Sequence, residues 1–371
     1  MRFRNTTPFP AFLHREAIDG DRIAAAVILR VTYDLNGNPP APSREQPWLV
    51  SPTPWRSPVG LMEGDASFDR DGCDLILLGE ARSADGRPVS TLDVSVDVTP
   101  TSGGAAFTST VRVFGERTWQ RAGGALVPSA PQAFERMPLD LAHAFGGVAV
   151  FDELPVPHAD NRVGKGFYLE EELAEGGALP NLESPEHLIE RWSDRPDPVG
   201  VGLCPVTFGP RVRRAAVISE RSGGTINKND SCPGKSVPQG PSLLDSGWHE
   251  SFKDGHVVGV RHAIFNLAFP SFVCPTPEPG AQLSVRGMGP ELQFSLPDPR
   301  WLAVTRVGGT EHCDPLRIDQ IGIEPALGRF FVTYRYTFIY PLRSGEERRC
   351  ELQWRREPPR TELSCAIGGT P

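Results

Sequence analysis

Several stretches of the chain alternate or cluster apolar residues with the two-residue period of β-strands. Residues 23–36 form a long β-branched run that predicts a buried strand. Residues 74–82 predict another, and residues 90–98 alternate like a half-buried strand, so a glycine turn between these two makes them a hairpin candidate. With a further strand at 108–114, residues 1–127 are predicted to form an N-terminal antiparallel β lobe.

Strand patterns return near the C-terminus, where residues 256–371 are predicted to form a second β lobe. They cover residues 256–268, 282–285, 292–296, 301–307, 318–323, 329–340 and 349–354, the last of which is predicted to pair with 329–340. Along 329–340 one face is predicted to enter the core; it carries Phe330, Val332, Tyr334, Tyr336, Phe338 and Tyr340. The opposite face carries Phe331, Thr333, Arg335, Thr337 and Ile339.

Between these lobes, residues 128–255 are rich in proline, glycine and polar residues. Short helices are predicted at 137–145, 185–192 and 242–252, and the rest is expected to be irregular. Irregular segments of this length in a compact protein are usually functional or ordered by a partner. The predicted fold class is therefore mainly β, with two sandwich-like antiparallel lobes joined by a long Pro/Gly-rich region with short helices.

Composition and charge narrow the function classes. The net charge of −8 argues against a nucleic-acid-binding protein, which needs clustered Lys and Arg. No stretch approaches the roughly 18 apolar residues of a membrane helix, and the N-terminus lacks the apolar core of a signal peptide. The seven cysteines lie far apart, which favours reduced thiols in the cytoplasm. No nucleic-acid or membrane partner is expected.

Candidate catalytic and metal-binding motifs fail in turn. Residues 233–236 end like a phosphate-binding loop, but the required first glycine is Asn229. No G-x-S-x-G elbow is present. Cys204, Cys232 and Cys274 could form a tetrahedral zinc site with His249, His256 or His262, although their spacing does not require one. Buried structural thiols are the simpler interpretation of these cysteines. We therefore predict no catalytic residue, no metal and no cofactor.

An ordered set of motifs occupies the middle of the chain. They are Met137-Pro138-Leu139-Asp140, Ala144-Phe145-Gly146-Gly147, Leu179-Pro180-Asn181-Leu182-Glu183 and Arg195-Pro196-Asp197-Pro198-Val199-Gly200. The segments 5–9, 31–35 and 113–119 agree with the same set. Together they resemble a bacterial family catalogued as a domain of unknown function, whose members are often encoded beside type VI secretion genes and act as effector adaptors or chaperones.

The resemblance implies a cytoplasmic, non-catalytic protein that loads cargo onto a secretion spike. Its partners would be a secreted effector protein and a PAAR-type tip or spike protein. Residues that contact a partner or order the long loop would be Arg136, Asp140, Phe145, Gly146, Gly147, Asn181, Glu183, Arg195 and Asp197. From the residues alone, Arg195 and Asp197 are candidates to link loops through charge-assisted hydrogen bonds. Two alternatives stay open: a hydrolase with an unrecognised active site, and a passive β binding module.

Overall fold

A computed structural model describes most of the chain. The described residues are 1–17, 21–37, 39–205, 208, 252–253, 256–257, 265–298, 300–342, 345 and 347–355. The predicted helix at 242–252 lies almost wholly outside them, as do residues 233–236, Cys232, His249 and His262 of the candidate phosphate and zinc sites. Among the described residues no helix has the length and apolar character needed to cross a membrane.

The described chain is mainly β, as predicted. The first half contains β1 Arg2–Asn5, β2 Ala11–Ala17, β3 Arg22–Asp34, β4 Ala41–Pro42, β5 Trp55–Ser57, β6 Gly60–Met62, β7 Cys73–Leu77, β8 Glu80–Ala81, β9 Thr91–Thr99, β10 Phe107–Phe114, β11 Trp119–Ala122, β12 Ala125–Pro128, β13 Met137–Pro138, β14 Phe145–Gly146, β15 Val148–Phe151, β16 Leu154–Pro157, β17 Lys165–Gly166, the short helix α1 Glu171–Ala174 and β18 Leu182–Glu183. The second half contains β19 Phe252–Lys253, β20 His256–Val257, β21 Val273–Cys274, β22 Gln282–Arg286, β23 Leu292–Ser295, β24 Arg300–Val307, β25 Thr310–Pro315, β26 Arg317–Glu324, β27 Arg329–Pro341 and β28 Arg348–Arg355. Single 3-10 turns cover Pro270–Phe272 and Pro325–Leu327.

Three sheets make up the body of the structure. The largest has seven strands, six of them in the order β2-β3-β27-β26-β7-β21 with β4 added beside β3. A five-stranded sheet runs β18-β10-β9-β22-β23, and a four-stranded sheet runs β1-β28-β24-β25. Each sheet combines strands from the first 127 residues or the middle with strands beyond residue 256. The two predicted β segments therefore share sheets and do not form separate lobes.

The predicted strands at 23–36 and 329–340 are confirmed, and they form the centre of the largest sheet. β3 and β27 pair in antiparallel register from Arg22–Pro341 to Asp34–Arg329. Two other pairing predictions are wrong. β7 pairs with β26 and β21, not with β9. It is thus an inner strand, and all five of its residues are buried. β28 pairs with β1 and β24, not with β27.

One large apolar core lies between the three sheets. On the inner face of β27, the ring of Phe330 packs 4.5 Å from that of Phe294 in the five-stranded sheet. Farther along, the ring of Tyr334 meets Trp301 of the four-stranded sheet at 6.2 Å. The predicted core face of β27 is thus confirmed for these positions.

The opposite face of β27 is buried as well, which the alternating pattern did not indicate. Phe331, Thr333 and Arg335 are all fully buried. Residues 46–70 run across this face; Trp48 packs on Phe331, with ring centroids 4.4 Å apart, and the backbone carbonyl of Ser67 accepts a hydrogen bond from Arg335. This covering segment adds no strand to the large sheet, since among the described strands its β5 and β6 pair only with each other, and it leaves no signature in the period of β27.

The predicted helices at 137–145 and 185–192 are absent. In the first segment the side chain of Asp140 accepts the amide of Ala142, which favours a turn over a helix. In the second, the amides of Glu186, Ile189 and Glu190 all donate to side-chain oxygens. Because those donors are already used, no helical ladder forms.

Candidate functional site

The middle segment is held to the five-stranded sheet by one buried ion pair. Strand β18 pairs with β10, and its Glu183 carboxylate lies against the guanidinium of Arg117. Arg117 also donates to the carbonyl of Pro180 at 2.8 Å, and its guanidinium lies 3.8 Å from the centroid of the Phe114 ring. The second Glu183 oxygen accepts the amide of Ile189 at 2.8 Å. Burial raises the pKa of Glu183, and Arg117 opposes this rise.

Asn181 closes the same loop through its backbone and its side chain. Its amide donates to the carbonyl of His143 at 2.7 Å, and its carbonyl accepts the amide of Phe114 at 2.8 Å. The side-chain Nδ2 donates to the carbonyl of Phe114 at 3.0 Å. Asn181 is fully buried, so these bonds join the strand β10 to the turn around residue 143 away from water.

The Phe145-Gly146-Gly147 motif forms a close crossing of two chain segments. Gly146 has φ +145° and Gly147 φ +102°, and a Cβ on Gly146 would overlap the carbonyl oxygen of Asn161. The side chain of Asn161 donates to the carbonyls of Leu141 and Phe145 at 2.8 and 3.0 Å. A side chain at position 146 would collide with the backbone of Asn161 and one at position 147 with that of Gly164, so both positions require glycine.

The four remaining predicted residues, Arg136, Asp140, Arg195 and Asp197, are all exposed. The guanidinium of Arg136 lies 3.6 Å from the carboxylate of Glu80, and a carboxylate oxygen of Asp140 lies 2.7 Å from Nδ1 of His143. Arg195 donates to three backbone carbonyls, including that of Tyr168 at 2.5 Å. Asp197 is exposed. The hydrogen bond from Arg195 to the carbonyl of Tyr168 joins two loops of the middle segment, and a similar role for Asp197 stays a prediction.

A β-hairpin projects directly from the glycine motif. Strands β15 and β16 pair from Val148–Pro157 to Phe151–Leu154, and β15 begins at the residue after Gly147. The amide of His158 donates back to the carbonyl of Gly147 at 2.8 Å, which closes the hairpin at its base. The crossing formed by Phe145-Gly146-Gly147 therefore fixes where the hairpin leaves the body of the protein.

The hairpin presents apolar side chains to solvent. Phe151 is 53% exposed and Leu154 is 65% exposed, on either side of the turn. Val148 and Val150 are about half exposed, whereas Ala149 between them is buried. Val163, on the loop that follows the hairpin, is 66% exposed. Large exposed apolar side chains grouped on one element are typical of interaction sites.

The turn of this hairpin is itself unusual. Asp152 and Glu153 both have positive φ, at 50° and 62°, and they are the only non-glycine residues among those described with this backbone. Two-residue turns of this type normally use Asn-Gly, because other residues lose about 1 kcal/mol or more in the left-handed region. Two acidic residues are thus held at the tip between two apolar side chains.

Sequence reasoning missed the hairpin, although a signal existed. The chain reads Val-Ala-Val-Phe, then Asp-Glu, then Leu-Pro-Val-Pro, which is two apolar runs separated by two residues. The prolines and the absence of glycine in the turn concealed it. Arg117 and Asn161, which hold the segment together, were also missed because their partners are distant in sequence.

The described residues contain no group of three or more His, Cys, Asp or Glu side chains placed to hold a metal ion. Cys204 and Cys274 are buried and form no disulfide with another described cysteine, and Cys313 is exposed. The Arg30–Asp65 and Arg335–Asp319 ion pairs of the large sheet are fully buried.

Comparison with known proteins identifies the family. A family model described as an uncharacterized protein conserved in bacteria (DUF2169) matches residues 20–335. The chain belongs to this family. No curated protein and no solved structure matches. The matched range contains the ion pair of Glu183, the glycine crossing and the exposed hairpin.

Proposed function

We propose that this protein is a non-catalytic adaptor or chaperone that binds another protein through the β15–β16 hairpin. The observation that carries the proposal is the exposure of Phe151 and Leu154 on an element whose base is rigidly fixed. The cargo we propose is a type VI secretion effector or its PAAR-type tip, bound in the cytoplasm before loading onto the spike. The type VI assignment rests on the motif resemblance across residues 137–202.

The energetics favour a partner on this surface. Burying the exposed half of Phe151 and of Leu154 is worth about 1–2 kcal/mol each. Val148, Val150 and Val163 would add smaller amounts. Apolar anchors on a pre-ordered element bind with little loss of conformational entropy, and such anchors supply most of the affinity of protein interfaces.

The rigid base supports the same function. Gly146 crosses Asn161, Asn181 is bonded to Phe114, and Glu183 is paired with Arg117, so the hairpin is held to the body at several points. A passive loop needs no such fixation, whereas a docking element gains affinity from it. The motif residues thus support the hairpin more directly than they offer contacts of their own.

The test uses the full-length protein and the products of neighbouring effector and tip genes. The double variant Phe151→Thr/Leu154→Thr keeps β-forming residues and removes the apolar side chains. We expect its affinity for the cargo to fall by about thirtyfold to a thousandfold in calorimetric titration, since about 2–4 kcal/mol is lost from the two side chains together.

The matched control is Leu327→Thr. Leu327 is 62% exposed, close to the exposure of Leu154, but it lies on the Pro325–Leu327 turn of the large sheet. This variant is expected to bind like the wild-type protein. The proposal fails if no neighbouring effector or tip protein binds, or if the double variant and the control bind equally well.

A further inference from the structure

The last six residues of β27 leave one edge of the largest sheet open. Strand β26 begins at Arg317, opposite Arg335, so it covers only the first half of β27. Residues 336–341 pair with β3 on one side. On the other side they pair with none of the described strands, and they border an open groove of about 770 Å³.

The groove has walls on both faces of the sheet. On one face, strand β25 overhangs it with Thr310, His312 and Asp314, and Asp314 accepts a hydrogen bond from the Tyr336 hydroxyl at 2.6 Å. On the other face, Asp69 lies beside Thr337, whose hydroxyl donates to the carbonyl of Phe68 at 3.0 Å. The groove therefore occupies the place that the next strand of the sheet would take.

The strand edge in this groove offers backbone hydrogen-bonding groups. Along a free edge, alternate residues direct their N–H and C=O groups outward. Six residues at about 3.3 Å per residue give an edge roughly 20 Å long. A free edge of this kind accepts an extended segment as an added strand.

The charges of the groove indicate what such a segment would carry. Asp69 is paired with Arg317 at 2.8 Å. Asp314, in contrast, has only the hydroxyl of Tyr336 as a hydrogen-bond partner and forms no ion pair with a described cation. Burial, followed by the bond to Asp314, raises the pKa of Tyr336, so this hydroxyl remains a donor at neutral pH. The two arginines that also line the groove, Arg317 and Arg335, are paired with Asp69 and Asp319. The Asp314 carboxylate is therefore the one without an ion pair among the described groove residues.

We infer that the groove binds an extended segment of a partner protein as an added strand beside residues 336–341, with a Lys or Arg side chain directed at Asp314. Phe338 and Ile339, on opposite faces of β27, would contact apolar side chains of the segment at alternating positions. This second surface is separate from the β15–β16 hairpin and does not depend on it.

The test begins with a displayed library of random peptides about nine residues long. It is selected on the full-length protein and counter-selected on the Asp314→Lys variant, which reverses the charge of the groove. We expect enriched peptides to contain a basic residue flanked by β-branched or apolar residues. A selection that yields no peptide sensitive to Asp314→Lys would overturn the inference.

Backbone recognition is then separated from side-chain recognition by N-methylation. Synthetic copies of one selected peptide are methylated on odd or on even amides. One set is expected to lose about tenfold or more in affinity and the other to bind as before, because only alternate amides of a strand face its neighbour. Equal effects of both sets would contradict strand addition.

Hydrogen exchange locates the bound peptide and identifies competing occupants. Alternate amides of residues 336–341 are expected to exchange rapidly in the free protein and slowly in the complex. Protection already present in the free monomer would mean that the chain fills its own groove, and protection that grows with protein concentration would mean a second copy; both overturn the inference. The hairpin variant Phe151→Thr/Leu154→Thr is expected to bind these peptides normally, so the two proposals fail independently.

Discussion

The covered face of the largest sheet buries charged side chains, whereas the β15–β16 hairpin exposes apolar ones. On the sheet, Arg30 pairs with Asp65 at 2.5 Å and Arg335 pairs with Asp319, and all four side chains are fully buried. On the hairpin, Phe151 and its neighbours are exposed. A folding argument alone would place charges outside and phenylalanine inside.

The buried charges hold a segment that forms no strand pairing with the described strands of the large sheet. Residues 46–70 cross the sheet, and Asp65 meets the guanidinium of Arg30, which also donates to the side chain of Gln320 at 3.0 Å. Arg70 pairs with Asp74 at 3.1 Å, and the Asp74 carboxylate accepts from Asn266 at 2.8 Å. Each charge has a specific partner, so the segment has one register on the sheet. The hairpin has no such internal partners for its exposed side chains.

The largest expected effect comes from breaking a buried pair. Arg335→Met leaves Asp319 buried without its cation, which is expected to cost about 3–5 kcal/mol in the free energy of unfolding. Urea denaturation followed by tryptophan fluorescence measures it. The control Arg112→Met removes an exposed pair with Asp93, 2.8 Å apart, and is expected to cost less than about 1 kcal/mol. Equal losses would mean that the buried pair is not specially important.

A second, smaller effect is expected at the base of the hairpin. Gly146→Ala forces a Cβ against Asn161 in a positive-φ conformation, and about 1–3 kcal/mol of stability should be lost. Cargo binding should weaken in parallel, because the hairpin loses its fixed base. Gly176→Ala is the control: its φ of +75° is strained too, but no atom lies within 4 Å of the added Cβ. If both variants bind cargo equally, the glycine crossing does not position the hairpin.

The smallest effect concerns pH. Burial tends to raise the pKa of Asp319, but Arg335 and Arg70 outweigh it and lower the pKa below its ordinary value of 3.8. Because the folded-state pKa is depressed, the stability from ionised Asp319 is fully present above the ordinary value and is lost as pH falls through the folded-state pKa. Unfolding of the wild type and of Asp319→Asn is compared by urea titration at about pH 6 and about pH 3. The difference in the free energy of unfolding between the wild type and Asp319→Asn should be smaller at the lower pH. An equal difference at both pH values would contradict the prediction.

The strands of the core were predictable because their signals are local. The β-branched run of residues 23–36 and the alternating aromatics of 329–340 specify strands wherever they pair. Residues 137–202 were also recognisable as a distinct segment by their motifs. Gly146 and Gly147 stand in one of those motifs, and the positive φ that both adopt is a conformation open to glycine.

Strand pairing and burial were decided by the tertiary structure. β3 meets β27 across about three hundred residues of chain, and no local pattern specifies which of several strands is the partner. The sequence pattern places Arg335 on the face of β27 opposite the predicted core, but in the folded protein Asp319 and residues 46–70 bury it. Nothing in the local sequence distinguishes Phe151 from a core residue, yet it is exposed in the folded protein. The sequence by itself determined which residues prefer to be extended; only the packing of distant segments decided which side chains are covered, because burial depends on neighbours that are far away along the chain.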